Sequence, residues 1–260
     1  MAGPAVRLLL PAAALAAAVL AWHAVVSHYR LPPYILPGPG LVARTVVADW
    51  GMLSDSLLVT LRTALTALAL AVAGGVGLAL LFASARIVEL SLYPFAVILQ
   101  VTPVIAIAPL MLIYLPSNTA VLVCAFIVAF FPILANTTLG LNSVDRNLAD
   151  LFRLCGAGRW RTLVHLRLPA ALPYFLGGLR IAGGLALIGA VVAEIAAGSA
   201  GRGSGLAFRI VEAGYRLNIP RMFAALLLLS LAGVVIHAGL TALSWLALRR
   251  WHESALARGT

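Results

Sequence analysis

Apolar residues run along this chain in blocks of about twenty, and the polar residues gather between the blocks. A helix needs roughly 20 apolar residues to cross about 30 Å of hydrocarbon, so each block predicts one crossing. The first extends from about Leu8 to Ser27, behind Arg7, and the second from about Thr63 to Ala85. The first run is long and no small-x-small cleavage site follows it, which favours a retained helix over a signal peptide. From Leu90 to Val144 no charged residue occurs. At about 1.5 Å per residue, that stretch is too long for one crossing and right for two. The breakers in LPSN (115–118) divide it into a third span near 92–115 and a fourth near 119–140. A fifth covers about Tyr174–Ala197 and a sixth about Met222–Leu248. The expected fold class is all-α, a polytopic membrane protein with six transmembrane helices. Residues 1–55 hold the first helix and a Pro-rich external segment, 56–248 the core with a long loop near 142–173, and 249–260 a tail.

An even number of spans puts both ends on one side. Arg7, Arg86, the arginines from 146 to 180, Arg249, Arg250 and Arg258 then share a side. Arg30, Arg44, Arg202, Arg209, Arg216 and Arg221 share the other. Positive charge accumulates on the cytoplasmic side, which places the N and C termini there and makes 142–173 the largest cytoplasmic loop. Outside, LPPYILPGPGLVARTV (31–46) begins with rigid prolines, and a short interfacial helix is expected over Leu41–Leu53. The segment 198–220 is glycine-rich and carries Arg202, Arg209, Glu212 and Arg216.

The long loop has its own periodicity. Leu148, Leu151, Phe152 and Cys155 are spaced i, i+3, i+4, i+7, one face of a helix. Trp160, Leu163, Val164 and Arg167 repeat the spacing. Gly156 lies between them, suited to a bend that needs positive φ. Pro169 and Pro173 are expected to stop the second helix before the fifth span. Two amphipathic helices this short must cover their apolar faces with something. The membrane surface, a partner's groove and the chain's own spans all remain open.

Composition narrows the chemistry. The chain is 63% hydrophobic and 10% charged, with a net charge of +10. The arginines stand at the ends of apolar runs, which fits a membrane surface and no nucleic acid. Every basic side chain other than histidine is an arginine. Without lysine there is no P-loop, so GSAGRGSG (198–205) is not a nucleotide loop, and no lysine Schiff base can form. The two cysteines, Cys124 and Cys155, sit in unlike settings and make neither a disulfide nor a structural zinc site. No catalytic constellation is present.

The loop resembles the EAA loop of binding-protein-dependent ABC importer permeases, the type I fold. That pattern reads Glu-Ala-Ala, three residues, Gly, nine residues, Ile-x-Leu-Pro. Here nine residues separate Gly156 from Leu166, Arg167, Leu168 and Pro169, and Asp150, Leu151 and Phe152 occupy the Glu-Ala-Ala places. ILPGPGLV, VTPVIAIAPLMLIYL, AFFPILANTTLGLNSVD and the run from Leu168 to Ile195 are similar to the sulfonate, taurine and nitrate branch, with likeness over about 35–250.

The resemblance implies a coupling helix formed around Asp150, Leu151, Phe152, Gly156, Arg159, Leu163, Leu166, Leu168 and Pro169. It would seat on separate ABC ATPase subunits, which bind ATP and Mg, so this chain is itself no enzyme and needs no cofactor. A second permease copy forming a homodimer, an external solute-binding protein, membrane lipid and the bacterial inner membrane complete the expected setting. The solute would be a small anion such as a sulfonate or nitrate, or a vitamin precursor.

Three polar residues are candidates for the path or its gate. Gln100 and Thr102 precede Pro103 in the third span, and proline frees carbonyls and bends helices. Glu194 is the acid deepest in an apolar run, with Arg202 a possible counter-ion. It also supports a rival from another class, a proton-coupled secondary transporter using Glu194. A scaffold whose loop binds a cytosolic protein is a third reading.

Overall fold

A computed structural model describes residues 4–198 and 203–249. Every regular element among them is helical. The predicted spans appear as α1 (Pro4–His28), α3 (Trp50–Ser84), the pair α4 (Arg86–Val101) and α5 (Val104–Tyr114), α6 (Ser117–Leu141), α9 (Leu168–Ala197) and α11 (Ile219–Leu248). Five helices are long and apolar enough to cross a membrane, or six if the α4–α5 pair is one span. Between them lie α2 (Pro39–Ala48), α7 (Arg146–Leu154), α8 (Arg159–Thr162) and α10 (Leu206–Tyr215).

Three boundaries differ from expectation. The short external helix ends at Ala48, and the second span begins at Trp50, well before Thr63. Asp49 makes the junction: its N–H bonds the Thr45 carbonyl at 2.9 Å, and its own carbonyl accepts from Leu53 at 3.0 Å. The third span is broken, with α4 and α5 meeting at 98°. Proline disfavours helical ψ in the residue before it, and Thr102 is accordingly extended (φ −72°, ψ 123°). Finally, the glycine-rich segment 198–220 contains a helix, α10, that its composition does not predict, though Glu212 and Arg216 stand at i, i+4 and Arg209 one turn earlier.

The chain divides into two compact units, Met1–Leu58 with Ala200–Ser230, and Val59–Ser199 with Leu231–Thr260. In the first, Val42, Leu53, Leu206, Ala224, Ala225 and Leu228 form a buried core. In the second, Leu68 and Ala71 of α3 are buried with Ala129 and Ile133 of α6 and with Leu176, Leu179, Ala182 and Ala186 of α9.

Lipid tails are as apolar as leucine, so packing between spans comes from close fit rather than from escape from water. The fit between α6 and α9 depends on glycine. A Cβ at Gly178 would lie 2.7 Å from the Pro132 carbonyl oxygen, at Gly140 2.8 Å from Ala171 Cα, and at Gly189 2.9 Å from Ala125 Cα. Gly178, Ala182, Ala186 and Gly189 of α9 are all buried and form a small-residue face. Gly177 and Gly184 have open space instead. α3 touches α6 in the same way at Gly75, where a Cβ would meet Ile133 Cγ2 at 2.8 Å.

Candidate functional site

The loop between α6 and α9 begins with a capped helix. The Asp145 carboxylate accepts from the Asn147 N–H at 2.7 Å, opening α7. α7 closes on Gly156, which has φ +68°. The Gly156 N–H bonds the Arg153 carbonyl at 3.0 Å and the Ala157 N–H bonds the Phe152 carbonyl at 2.9 Å. These two bonds are the Schellman pattern, in which the residue after the cap is left-handed and glycine adopts that conformation without a steric penalty. The bend falls where the sequence puts it.

α8 follows from Gly158, but the expected stop at Pro169 and Pro173 does not occur. Leu163–Arg167 form a π-turn, and helical structure runs unbroken from Arg159 to Ala197. The Leu168 N–H reaches back to the Leu163 carbonyl. A wider turn relieves the clash a proline ring makes with the carbonyl four residues back, and Pro169 then lies in the first turn of α9, where an N–H is not needed. The second half of the loop is the base of the fifth span rather than a separate helix.

The predicted coupling residues therefore fall into two groups. Leu163 packs beside Ala79, Phe82, Leu134, Leu141 and Ala171, and Leu166 and Pro169 are half-buried. Leu168 is 37% exposed, and Arg167 donates to the Ala83 carbonyl at 3.4 Å. The elbow before them is uncovered: α7 and α8 contain no buried residue. Leu148, Leu151, Leu154 and Trp160 are 47%, 51%, 86% and 74% exposed. Phe152 is half-buried, and Gly156 and Arg159 are exposed. Asp150 pairs with Arg153 at 3.1 Å, both largely in solvent, so the pair adds little stability. The chain's own spans partly cover Leu163, Val164 and Arg167 of the second apolar face, and leave Trp160 and most of the first face bare.

The other candidates lie elsewhere. Gln100 is exposed on the last turn of α4. Thr102 sits at the break itself, where its hydroxyl donates to the Ile98 carbonyl at 2.6 Å and caps α4. Glu194 is 6% exposed, one turn before α9 ends at the left-handed Gly198. Its carboxylate oxygens accept from the Thr60 hydroxyl at 2.8 and 3.0 Å. Arg202, the counter-ion suggested by sequence, lies outside the described residues. Thr60 had no sequence signal, because a lone threonine in an apolar helix is ordinary.

Charged residues also cluster in the first unit. The Arg221 guanidinium holds Asp49 at 2.6 Å. Arg209 donates to Glu212 at 2.8 Å and to Ser56 at 3.1 Å, and Arg216 reaches Glu212 at 2.8 Å. The hydrogen bond from Arg209, aided by the charges of Arg209, Arg216 and Arg221, holds the Glu212 carboxyl below its ordinary range against the opposing effect of burial.

Comparison with known proteins supplies the identity behind this arrangement. The family described as binding-protein-dependent transport system inner membrane component matches residues 75–245. The chain is 36% identical to the formylaminopyrimidine transport permease protein ThiX of Halalkalibacterium halodurans, over 80% of this chain and 82% of that one. It is 34% identical to the riboflavin transport system permease protein RibX of Chloroflexus aurantiacus, over 90% and 86%. A Bacillus subtilis (strain 168) protein named for aliphatic sulfonates transport, SsuC, is 27% identical over 87% and 80%. The structure of an amino acid ABC transporter shares the fold at TM-score 0.64 and 16% identity, covering 76% of this chain and 95% of that one. These matches support a permease and not the proton-coupled alternative built on Glu194. The chain belongs to the binding-protein-dependent transport family and is a multi-pass inner-membrane permease subunit of an ABC importer.

Proposed function

We propose that two copies of this chain form the translocation path, and that the elbow around Gly156 seats in a groove of a separate ATPase subunit. ATP and Mg bind on that subunit, and this chain supplies no site for them. The N and C termini and the elbow face the cytoplasm, and an external solute-binding protein delivers the solute on the opposite side. One observation carries the reading: Leu148, Leu151, Leu154 and Trp160 stay exposed on an elbow between two tightly packed spans. A row of exposed apolar side chains on a short helix suits a helix-in-groove contact. ATP-driven closure would displace the elbow, and α6 and α9 would follow. Differential affinity for inward- and outward-open states then gives direction.

Gln100 and Thr102 are assigned to the path through their place at the α4–α5 break, and Glu194 to the gate end. For the solute, a heteroaromatic vitamin or its precursor is favoured over a sulfonate, because the relatives named for riboflavin and formylaminopyrimidine are more similar than the one named for sulfonates.

The test is co-purification of the permease with an ABC ATPase subunit co-expressed from the same organism, comparing wild type with Leu151→Glu and Trp160→Glu. Loss of the ATPase from the variants, with the membrane helices still inserted, is expected. Unchanged capture would overturn the docking assignment. Uptake of labelled riboflavin, formylaminopyrimidine and an alkanesulfonate into vesicles then decides the solute class.

A further inference from the structure

Resting on the permease reading, we infer that Thr60 is the positioning residue of a latch: its hydroxyl holds Glu194, ties α3 to the far end of α9, and releases when the path opens.

A carboxyl group inside a span is costly to bury unless hydrogen bonds offset its desolvation. Glu194 is 6% exposed and Thr60 fully buried, and the hydroxyl lies within 3.0 Å of both carboxylate oxygens. The contact joins residues 134 apart in sequence. At the opposite end of the same two helices, Arg167 reaches the Ala83 carbonyl. α3 and α9 are thus antiparallel neighbours, touching near the loop and again at Thr60.

The glycine contacts decide where movement can go. Gly140, Gly178 and Gly189 seat α9 against α6 at three levels with no room for a methyl group. A displacement of the loop therefore moves α6 and α9 as one body. α3 is fixed to that body along Gly75, Ala71 and Leu68, which pack against α6 and α9. Leu68, the one of these nearest the Thr60 end, is the fulcrum, and Thr60 lies eight residues further along the helix, about 12 Å away. A tilt of α3 by about 15° would carry Thr60 roughly 3 Å, more than a hydrogen bond survives. The apolar contacts near the fulcrum would barely change. The polar contact at the end of the arm is the one that opens or closes, and leaving a buried oxygen without its donor is costly enough to bias two states by about tenfold.

The test uses the permease with its ATPase subunits in proteoliposomes and follows ATP turnover without the solute-binding protein. Thr60→Val keeps the shape and removes the donor, whereas Thr60→Ser keeps the donor. If the latch holds the resting state, Val raises basal turnover by about tenfold and Ser stays near wild type. Equal turnover in all three would overturn the latch and leave the permease reading standing. So would a lower melting temperature in Val with unchanged turnover, which signals packing alone. Absence of any bound ATPase in wild type would instead overturn the permease reading itself.

Discussion

The seam between α6 and α9 and the elbow that joins them both depend on glycine, for opposite reasons. In the seam, Gly178 has ordinary backbone and no space: a Cβ would meet the Pro132 carbonyl oxygen at 2.7 Å. In the elbow, Gly156 has open space where a Cβ would stand and a backbone at φ +68°. The seam is buried and fixes two helices against each other. The elbow is exposed, fixes only its own path, and leaves its apolar side chains bare. A machine that passes force from a partner into the membrane needs both: a surface that can be gripped and a body that does not yield when it moves.

The largest effect should come from filling the seam. Gly178→Leu is expected to cost roughly 3 kcal/mol or more through overpacking, seen as loss of monodisperse protein after solubilisation. Gly177→Leu, one residue away with nothing within 4 Å, should purify like wild type. Equal behaviour of the two would mean that α6 and α9 are not closely seated.

Next in size is the elbow backbone. Gly156→Val forces a β-branched residue into the left-handed region at about 1–2 kcal/mol. Uptake and ATPase capture should fall together while the melting temperature of the spans holds. Gly156→Asn, which tolerates that region, should retain most activity. If Val and Asn are equally active, the bend is not what the ATPase recognises.

A smaller effect separates gripping from holding. Leu154→Ala, at 86% exposure, should leave stability within about 0.5 kcal/mol. It should weaken ATPase binding by about 1 kcal/mol if that side chain enters the groove, measurable by titration in nanodiscs.

The end of α10 provides a backbone comparison with Gly156. Leu217 closes α10 at φ +54° with the same pair of bonds, from its own N–H to Gly214 and from Asn218 to Ala213. Leu217→Gly should stabilise by up to about 1 kcal/mol, read from the melting temperature.

The smallest effect concerns charge, which the seam lacks. Glu212 titrates lower in the folded chain than unfolded, so its contribution to stability is full above the usual carboxylate range and disappears as pH falls through the folded value. Wild type should therefore lose more stability than Glu212→Gln between about pH 5 and pH 3, with no difference in slope above pH 6.

Much of this was legible in one dimension. Periods of about twenty apolar residues mark the spans because hydrocarbon thickness is fixed. Pro103 and Pro109 mark a bend in the third span, though not a break of 98°, and the Gly156 spacing marks the elbow. The sequence misled where local rules met packing. Pro169 and Pro173 read as stops, yet a π-turn let the helix continue. Periodicity alone also left open what covers the loop's apolar faces, and the chain's own spans partly cover Leu163.

By itself, then, the sequence determined what depends on neighbours along the chain: the apolar runs that become the spans, the bend at Gly156, and the absence of a lysine that could hold ATP. Only the tertiary structure decided which glycines face another backbone, which half of the loop stays bare, and that Thr60 meets Glu194 across 134 residues. Those depend on which faces two distant helices present to each other, and helical periodicity leaves the pairing of faces undetermined until the spans pack.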